Sequence, residues 1–322
     1  MSVLDRLDPE LAEALAAVPE EFLLDLRDIP LARQRLAVLR ETLAQLAPPL
    51  PSDVAITDEF ASNVKDGTAV RVRLYRPAGL RGPLPALLWI HGGGYVMGSP
   101  EMNDLQCAGF AHTLPALVAS VDYRLAPEHP YPAPLEDCYA ALHWLVRRAA
   151  DLGVDPQRIA IAGASAGGGL AAALALLVRD RGEFTIRFQL LIYPMLDDRN
   201  ETPSSREITD RRLIWTREWN QIGWQAYLGC EPGSSDIPAY AAPARAEILA
   251  GLPPAYIMVG TADLFRDEDI VYAQRLMQAG VPTELHVYAG AFHGFDAFAP
   301  SAWISQRASG EVLAVLKRAL AG

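Results

Sequence analysis

Three cysteines occur in 322 residues, at Cys107, Cys138 and Cys230, with no CxxC pair among them. An odd, widely spaced set is no disulfide framework, and the cysteines and six histidines show no zinc-ligand spacing. Free thiols in a reducing compartment are expected, with no metal site. Lysine is nearly absent, limited to Lys65 and Lys317, and 28 basic against 39 acidic side chains leave a net charge of −11. Phosphate backbones are bound by basic stripes, so this balance excludes a nucleic-acid surface. Arg147-Arg148 and Arg211-Arg212 are short pairs that fit solvated helix faces. No run of 18 uncharged apolar residues occurs, which excludes a membrane-spanning helix. Charges also run through residues 1–10, where a secretory signal would place its apolar core. No repeat period stands out. The expectation is a cytoplasmic protein without stable membrane insertion.

What is present is apolar mass: 51% of the residues are hydrophobic, enough for a large core. The first fifty residues suggest helices. Asp8 can cap with Pro9 behind it, aligning Leu11, Leu15 and Val18. A second amphipathic stretch over residues 30–46 carries Leu31, Leu36, Leu39, Leu43 and Leu46, and Pro48, Pro49 and Pro51 end it. From Thr68 the period becomes two, as Val70, Val72 and Leu74 alternate with Arg71, Arg73 and Tyr75 in a half-buried antiparallel strand. Short apolar runs follow at residues 86–90, 116–121, 158–162, 188–193, 255–259 and 285–288, and helix-length patterns at 135–148, 167–179 and 267–277 separate several of them. Unbroken strands alternating with helices predict an α/β protein, its mainly parallel sheet covered on both faces. Residues 200–235 break this rhythm with Trp215, Trp219, Trp224 and Tyr227 in a charged helical background. Three tryptophans favour a lid packed on the core or on the N-terminal helices over a bare surface connection.

Gly163-Ala164-Ser165-Ala166-Gly167 matches G-x-S-x-G between a strand and a helix. Such a turn exposes a strained serine beside a helix N-terminus that favours negative charge. His91-Gly92-Gly93-Gly94 follows residues 86–90, and successive glycines leave backbone N–H groups able to face a tetrahedral oxyanion. A nucleophilic serine also needs a carboxylate and then a histidine further along the chain. His293, in the glycine-flanked segment Gly290-Ala291-Phe292-His293-Gly294, is the best base. His286 fits a strand, and His112 and His143 fit helices. Asp263 follows residues 255–259 by a turn at Gly260-Thr261-Ala262 and is favoured as the carboxylate over Asp267. Asp267 and Asp269 fall where helix starts carry acidic residues anyway.

In order along the chain, His91-Gly92-Gly93-Gly94, Asp122-Tyr123-Arg124-Leu125-Ala126-Pro127-Glu128, Gly163-Ala164-Ser165-Ala166-Gly167-Gly168, Asp263-Leu264-Phe265-Arg266-Asp267-Glu268 and His293-Gly294-Phe295 resemble the hormone-sensitive-lipase-like carboxylesterases of the α/β-hydrolase fold. The likeness spans roughly residues 60–322. It implies Ser165 as nucleophile, Asp263 as orienting acid and His293 as base. Backbone N–H groups of Gly93, Gly94 and Ala166, with Gly92 as a further candidate, would form the oxyanion hole. It also implies an N-terminal helical cap over residues 1–52, and a catalytic domain over 53–322 with a second cap insertion at about 200–235. Two positions depart from the family pattern: Ala164 stands where Asp is usual and Leu264 where Pro is usual. Asp122, Arg124 and Glu128 fit a structural ion-pair network beneath the glycine loop, with His129 and Tyr131 anchoring the same loop. The implied activity is hydrolysis of small-molecule esters with short to medium acyl chains, with no cofactor and a homodimer by family analogy. Competing readings are an amidase with the same triad and a non-catalytic, receptor-like relative, whose triad histidine would be missing.

Overall fold

A computed structural model describes residues 2–20, 23–80 and 82–321; the side chains of residues 43–46 lie outside that description. Two helices come first, α1 (Pro9–Ala16) and α2 (Ile29–Leu46), then the strands β1 (Val54–Ser62), β2 (Ala69–Pro77) and β3 (Leu84–Ile90). The chain continues as α3 (Asp104–Thr113), β4 (Leu117–Val121), α4 (Ala133–Arg147), β5 (Val154–Ala164), α5 (Ala166–Arg181) and β6 (Phe188–Ile192). Next come α6 (Pro203–Glu207) and α7 (Arg217–Leu228), then β7 (Ala255–Ala262), α8 (Arg266–Gln278), β8 (Thr283–Phe292), α9 (Phe295–Phe298) and α10 (Trp303–Leu320).

The eight strands form one sheet in the order β1-β2-β4-β3-β5-β6-β7-β8. β1 and β2 are antiparallel, β2 meets β4 antiparallel, and every pairing from β4 to β8 is parallel. All seven residues of β3 and all five of β4 and β6 are buried, as strands covered by helices on both faces must be. The expected alternation in β2 is present in part. Val70, Val72 and Leu74 are buried, but so is Tyr75, whose hydroxyl donates to Asp104 at 2.7 Å from beneath α3. β1 escapes the sequence pattern because it is an edge strand with solvent near both faces, and its residues are mostly exposed, with polar residues at Thr57, Asp58 and Glu59 in the middle.

The N-terminal helices form where expected, with Asp8 accepting from the Glu10 and Leu11 amides. Leu11 and Leu15 are buried, whereas Val18 lies past the helix end and is only half-buried. Residues 17–19 and 23–28 are turns and irregular chain. In α2 the inward face is Ala32, Leu36 and Leu39, while Leu31 is 41% exposed; Leu43 and Leu46 fall among the side chains outside the description. Residues 200–235 hold α6 and α7, and Trp215, Trp219, Trp224 and Tyr227 are all buried. Trp224 and Tyr227 lie 5.3 and 4.0 Å from the Tyr95 ring, so α7 packs on the turn after the glycine loop.

The ion pairs around residues 122–128 differ from the single network expected. Asp122 pairs with Arg71, Arg124 with Asp137 and Asp66, and Glu128 with Arg33 of α2. One loop therefore serves separate partners. Tyr123 is what holds the glycine loop: its hydroxyl donates to the His91 carbonyl at 2.9 Å and its ring stacks on His91. His129 is exposed, and Tyr131 packs edge-on against Tyr227, so neither anchors that loop.

Candidate active site

Four loops meet at the carboxyl ends of the parallel strands. The glycine loop leaves β3, Ser165 follows β5, Asp263 follows β7 and His293 follows β8, each directly at its strand's end. At the turn into α5, Ser165 adopts φ +58° and ψ −123°, a strained conformation for a residue with a side chain. Its N–H donates to Ile192 and its carbonyl accepts from the Met195 and Gly169 amides, so the backbone on both sides over-determines the turn. Gly167 is required because α5 starts hard against the end of β3: a Cβ there would lie 2.0 Å from the Ile90 carbonyl oxygen. Ser165 sits at the N-cap of α5 but makes no side-chain cap, leaving Oγ available.

The histidine and carboxylate meet through sheet register. β7 and β8 pair beyond the turns expected from the sequence, through an irregularity after Gly260, until Ala262 stands opposite Phe292. The next residue on each strand is Asp263 and His293. Asp263 Oδ2 and His293 Nδ1 are 2.9 Å apart, and His293 Nε2 lies 3.0 Å from Ser165 Oγ. Asp263 is fully buried, and its other oxygen accepts from the Phe265 amide at 2.9 Å. Asp267, the competing carboxylate, faces elsewhere, pairing with Arg266 and accepting from the Ser204 amide. Asp269 is buried without a partner among the described residues. His286 bridges Glu284 and Glu311, away from the serine.

The glycine loop faces the same serine. Among the described residues, the amides of Gly93, Gly94 and Ala166 donate to no protein acceptor, and Gly92, Gly93 and Gly94 line the cavity over Ser165. Gly93 takes φ +115°, and a Cβ there would meet the Met97 carbonyl oxygen at 2.1 Å. Burial depresses the pKa of His91, so its imidazole is neutral; with that tautomer fixed by the contact, Nδ1–H donates to the Gly92 carbonyl at 2.8 Å.

The cavity over Ser165 holds about 260 Å³. Leu36 and Leu39 of α2, Leu23 and Leu24 before it, and Trp215 of residues 200–235 contribute its outer wall. Three aromatic rings enclose His293: Tyr193 at 4.7 Å, Phe265 at 5.1 Å and Trp215 at 6.4 Å. Tyr193 carried no motif signal beyond being an aromatic one residue past the end of β6, whereas Phe265 lies within the motif that begins at Asp263. The Tyr193 hydroxyl donates to Asp296 at 2.9 Å, and burial raises the pKa of that carboxyl. Ala164 also lines the cavity, while Leu264 is fully buried. Among the described residues, no three His, Cys, Asp or Glu side chains converge as a metal-binding group. None of the described helices is long and apolar enough to cross a membrane.

A mainly parallel sheet with a strained serine at its central elbow, and a histidine and an aspartate from the last two strands, defines an α/β-hydrolase of the serine-hydrolase class. Comparison with known proteins agrees. A family described as alpha/beta hydrolase fold matches residues 87–297. Esterase LipI and carboxylesterase NlhH, both of Mycobacterium tuberculosis, are each 38% identical over 98% of this chain and 96% of their own. A solved structure of a bacterial heroin esterase superposes with a TM-score of 0.94 at 42% identity, covering all of both chains. The chain belongs to the α/β-hydrolase family, in its hormone-sensitive-lipase-like branch.

Proposed function

We propose that this protein is a serine carboxylesterase that hydrolyses small esters of short to medium acyl chain length through an acyl-enzyme on Ser165. The observation that carries the reading is the continuous contact from Ser165 Oγ through both nitrogens of His293 to buried Asp263, at 3.0 and 2.9 Å. Ser165 Oγ attacks the ester carbonyl carbon while His293 Nε2 takes its proton, and the carbonyl π electrons move onto oxygen. Asp263 holds the imidazole with Nδ1–H towards itself and stabilises the imidazolium. The Gly93, Gly94 and Ala166 amides, with Gly92 beside them, stabilise the oxyanion; losing one such donor typically costs about 3 kcal/mol. Collapse of the intermediate breaks the ester C–O bond, and His293 returns its proton to the leaving alkoxide. Water then attacks the acyl-enzyme with His293 again as base, releasing the acid and restoring Ser165. Full-length similarity to proteins named esterases supports ester hydrolysis as the reaction.

Residues 1–52 and about 200–235 serve as a two-part cap on the catalytic domain of residues 53–322, a division supported by the leucines and Trp215 that both segments place over Ser165. The apolar cavity they bound, narrowed by α2 and Trp215, favours a small ester over a lipid surface. A cytoplasmic location fits three cysteines with no disulfide between them. A homodimer through β8 fits that strand's position at the sheet edge. The test is Ser165→Ala assayed on p-nitrophenyl butyrate. Activity should fall by at least about 10⁴-fold with an unchanged melting temperature; a variant keeping most of its turnover removes Ser165 from the mechanism.

A further inference from the structure

Among the described residues, helix α2 hydrogen-bonds the turn that follows the glycine loop through Arg33. Arg33 Nε donates to the Val96 carbonyl at 2.6 Å, and Nη2 donates to the Ala126 carbonyl at 2.7 Å. Both terminal nitrogens also grip Glu128, at 2.8 Å each. The guanidinium thus spans two backbone segments and a carboxylate from three directions, which suits a planar fork and not a point charge. Those segments are already joined, since the Ala126 amide donates to the Tyr95 carbonyl at 3.0 Å. Val96 is also the far end of the glycine turn: its own amide and that of Met97 both donate to the Gly93 carbonyl, at 3.1 and 3.0 Å. Fixing the Val96 carbonyl therefore fixes the peptide plane that closes the turn on Gly93. Other supports of this loop lie outside the N-terminal segment: Tyr123 on His91, Tyr95, whose hydroxyl donates to the Met195 carbonyl, and α7, packed on the Tyr95 ring. Arg33 alone among these supports comes from the N-terminal segment, on a helix whose Leu31 and Val38 are exposed at 41% and 61%.

We infer that Arg33 is a positioning residue for ester hydrolysis, locking the amides of Gly93 and Gly94 in their oxyanion-binding orientation from the cap helix. This inference rests on the reading of the glycine loop as oxyanion hole. It makes α2 more than a wall. Docking of the helix and alignment of the donors become one event, because the fork that latches Glu128 is the fork that holds Val96.

The experiment compares Arg33→Ala, Arg33→Lys and Glu128→Gln on p-nitrophenyl acetate, an ester too small to need the α2 wall. Affinity for a trifluoromethyl ketone, which adds Ser165 Oγ to its carbonyl carbon and places an oxyanion in the hole, is measured alongside. Arg33→Ala should lower kcat by about tenfold, less than the loss of a whole donor, with KM within about twofold. Ketone affinity should weaken by the same factor. Arg33→Lys keeps a charge for Glu128 but lacks the fork, and should lose kcat like Arg33→Ala. Glu128→Gln keeps an acceptor for the guanidinium and should lose less. A latch or wall alone predicts a raised KM, normal kcat and normal ketone affinity, with Arg33→Lys near the native enzyme; that pattern overturns the inference. Should Arg33→Ala not fold, Arg33→Lys decides alone. If Ser165→Ala kept its activity, the reading of the site would fail instead, whatever Arg33 does.

Discussion

Ser165, Asp263 and His293 were legible because each belongs to a short motif whose chemistry restricts the residue types allowed. The carboxylate was the hardest of the three to choose, and register rather than spacing separates Asp263 from Asp267. The glycines were equally legible, and their conformations explain why. Gly93→Ala should fail twice over, since φ +115° strains any side chain and the new methyl meets the Met97 carbonyl. A loss of about 1–3 kcal/mol in stability and at least tenfold in kcat is expected, from a melting curve and an initial-rate assay. A variant matching the native enzyme in both would remove the steric argument. Arg33 and Tyr193 gave no signal, and Tyr123 only a place in a motif without a role, because each acts on a backbone carbonyl or a ring far away in sequence.

Among the elements, the buried strands announced themselves as apolar runs and α1, α2, α4, α5 and α8 as helical patterns, but β1, α3 and α10 gave no such signal, and neither did the ends of the elements. The extra length of β7 and β8, which delivers Asp263 and His293 side by side, comes from pairing that only a neighbouring strand supplies. Helix α8 carries a further consequence of packing. Glu268, in its first turn, is buried and accepts from the Leu196 and Asp197 amides at 2.8 and 3.1 Å, bracing the loop behind the serine elbow. Burial drives its pKa well above the carboxylate range, with Asp197 adding repulsion, and neighbouring Asp269 moves the same way. A raised carboxyl pKa leaves stability untouched below about pH 4, where folded and unfolded chains are both protonated. From there upwards the unfolded chain ionises first, so stability falls by at most about 1.4 kcal/mol per pH unit for each group until the folded pKa is passed. Glu268→Gln removes that slope for one group while keeping an oxygen for the two amides. The melting temperature of the variant minus that of the native protein should therefore rise from pH 5 to pH 8. A difference independent of pH would mean that Glu268 is ionised in the fold.

For the whole molecule, the acidic balance says nothing positive about the substrate; the cavity over Ser165 is what bears on that. A cavity of about 260 Å³ walled by α2 and Trp215 should favour acyl chains of roughly two to eight carbons. Across a series of p-nitrophenyl esters, kcat/KM should fall steeply beyond that length, and a profile still rising beyond about ten carbons would sink the size argument. By itself the sequence determined the α/β class, the order of the motifs and the chemical type of the site, because buried strands, glycine turns and a nucleophilic serine each restrict composition locally. Only the tertiary structure decided which aspartate meets His293, that Glu128 is claimed by α2, and that Tyr123 rather than Tyr131 supports the glycine loop. Those outcomes depend on strand register and on contacts between residues tens to hundreds of positions apart, and local composition carries no record of either.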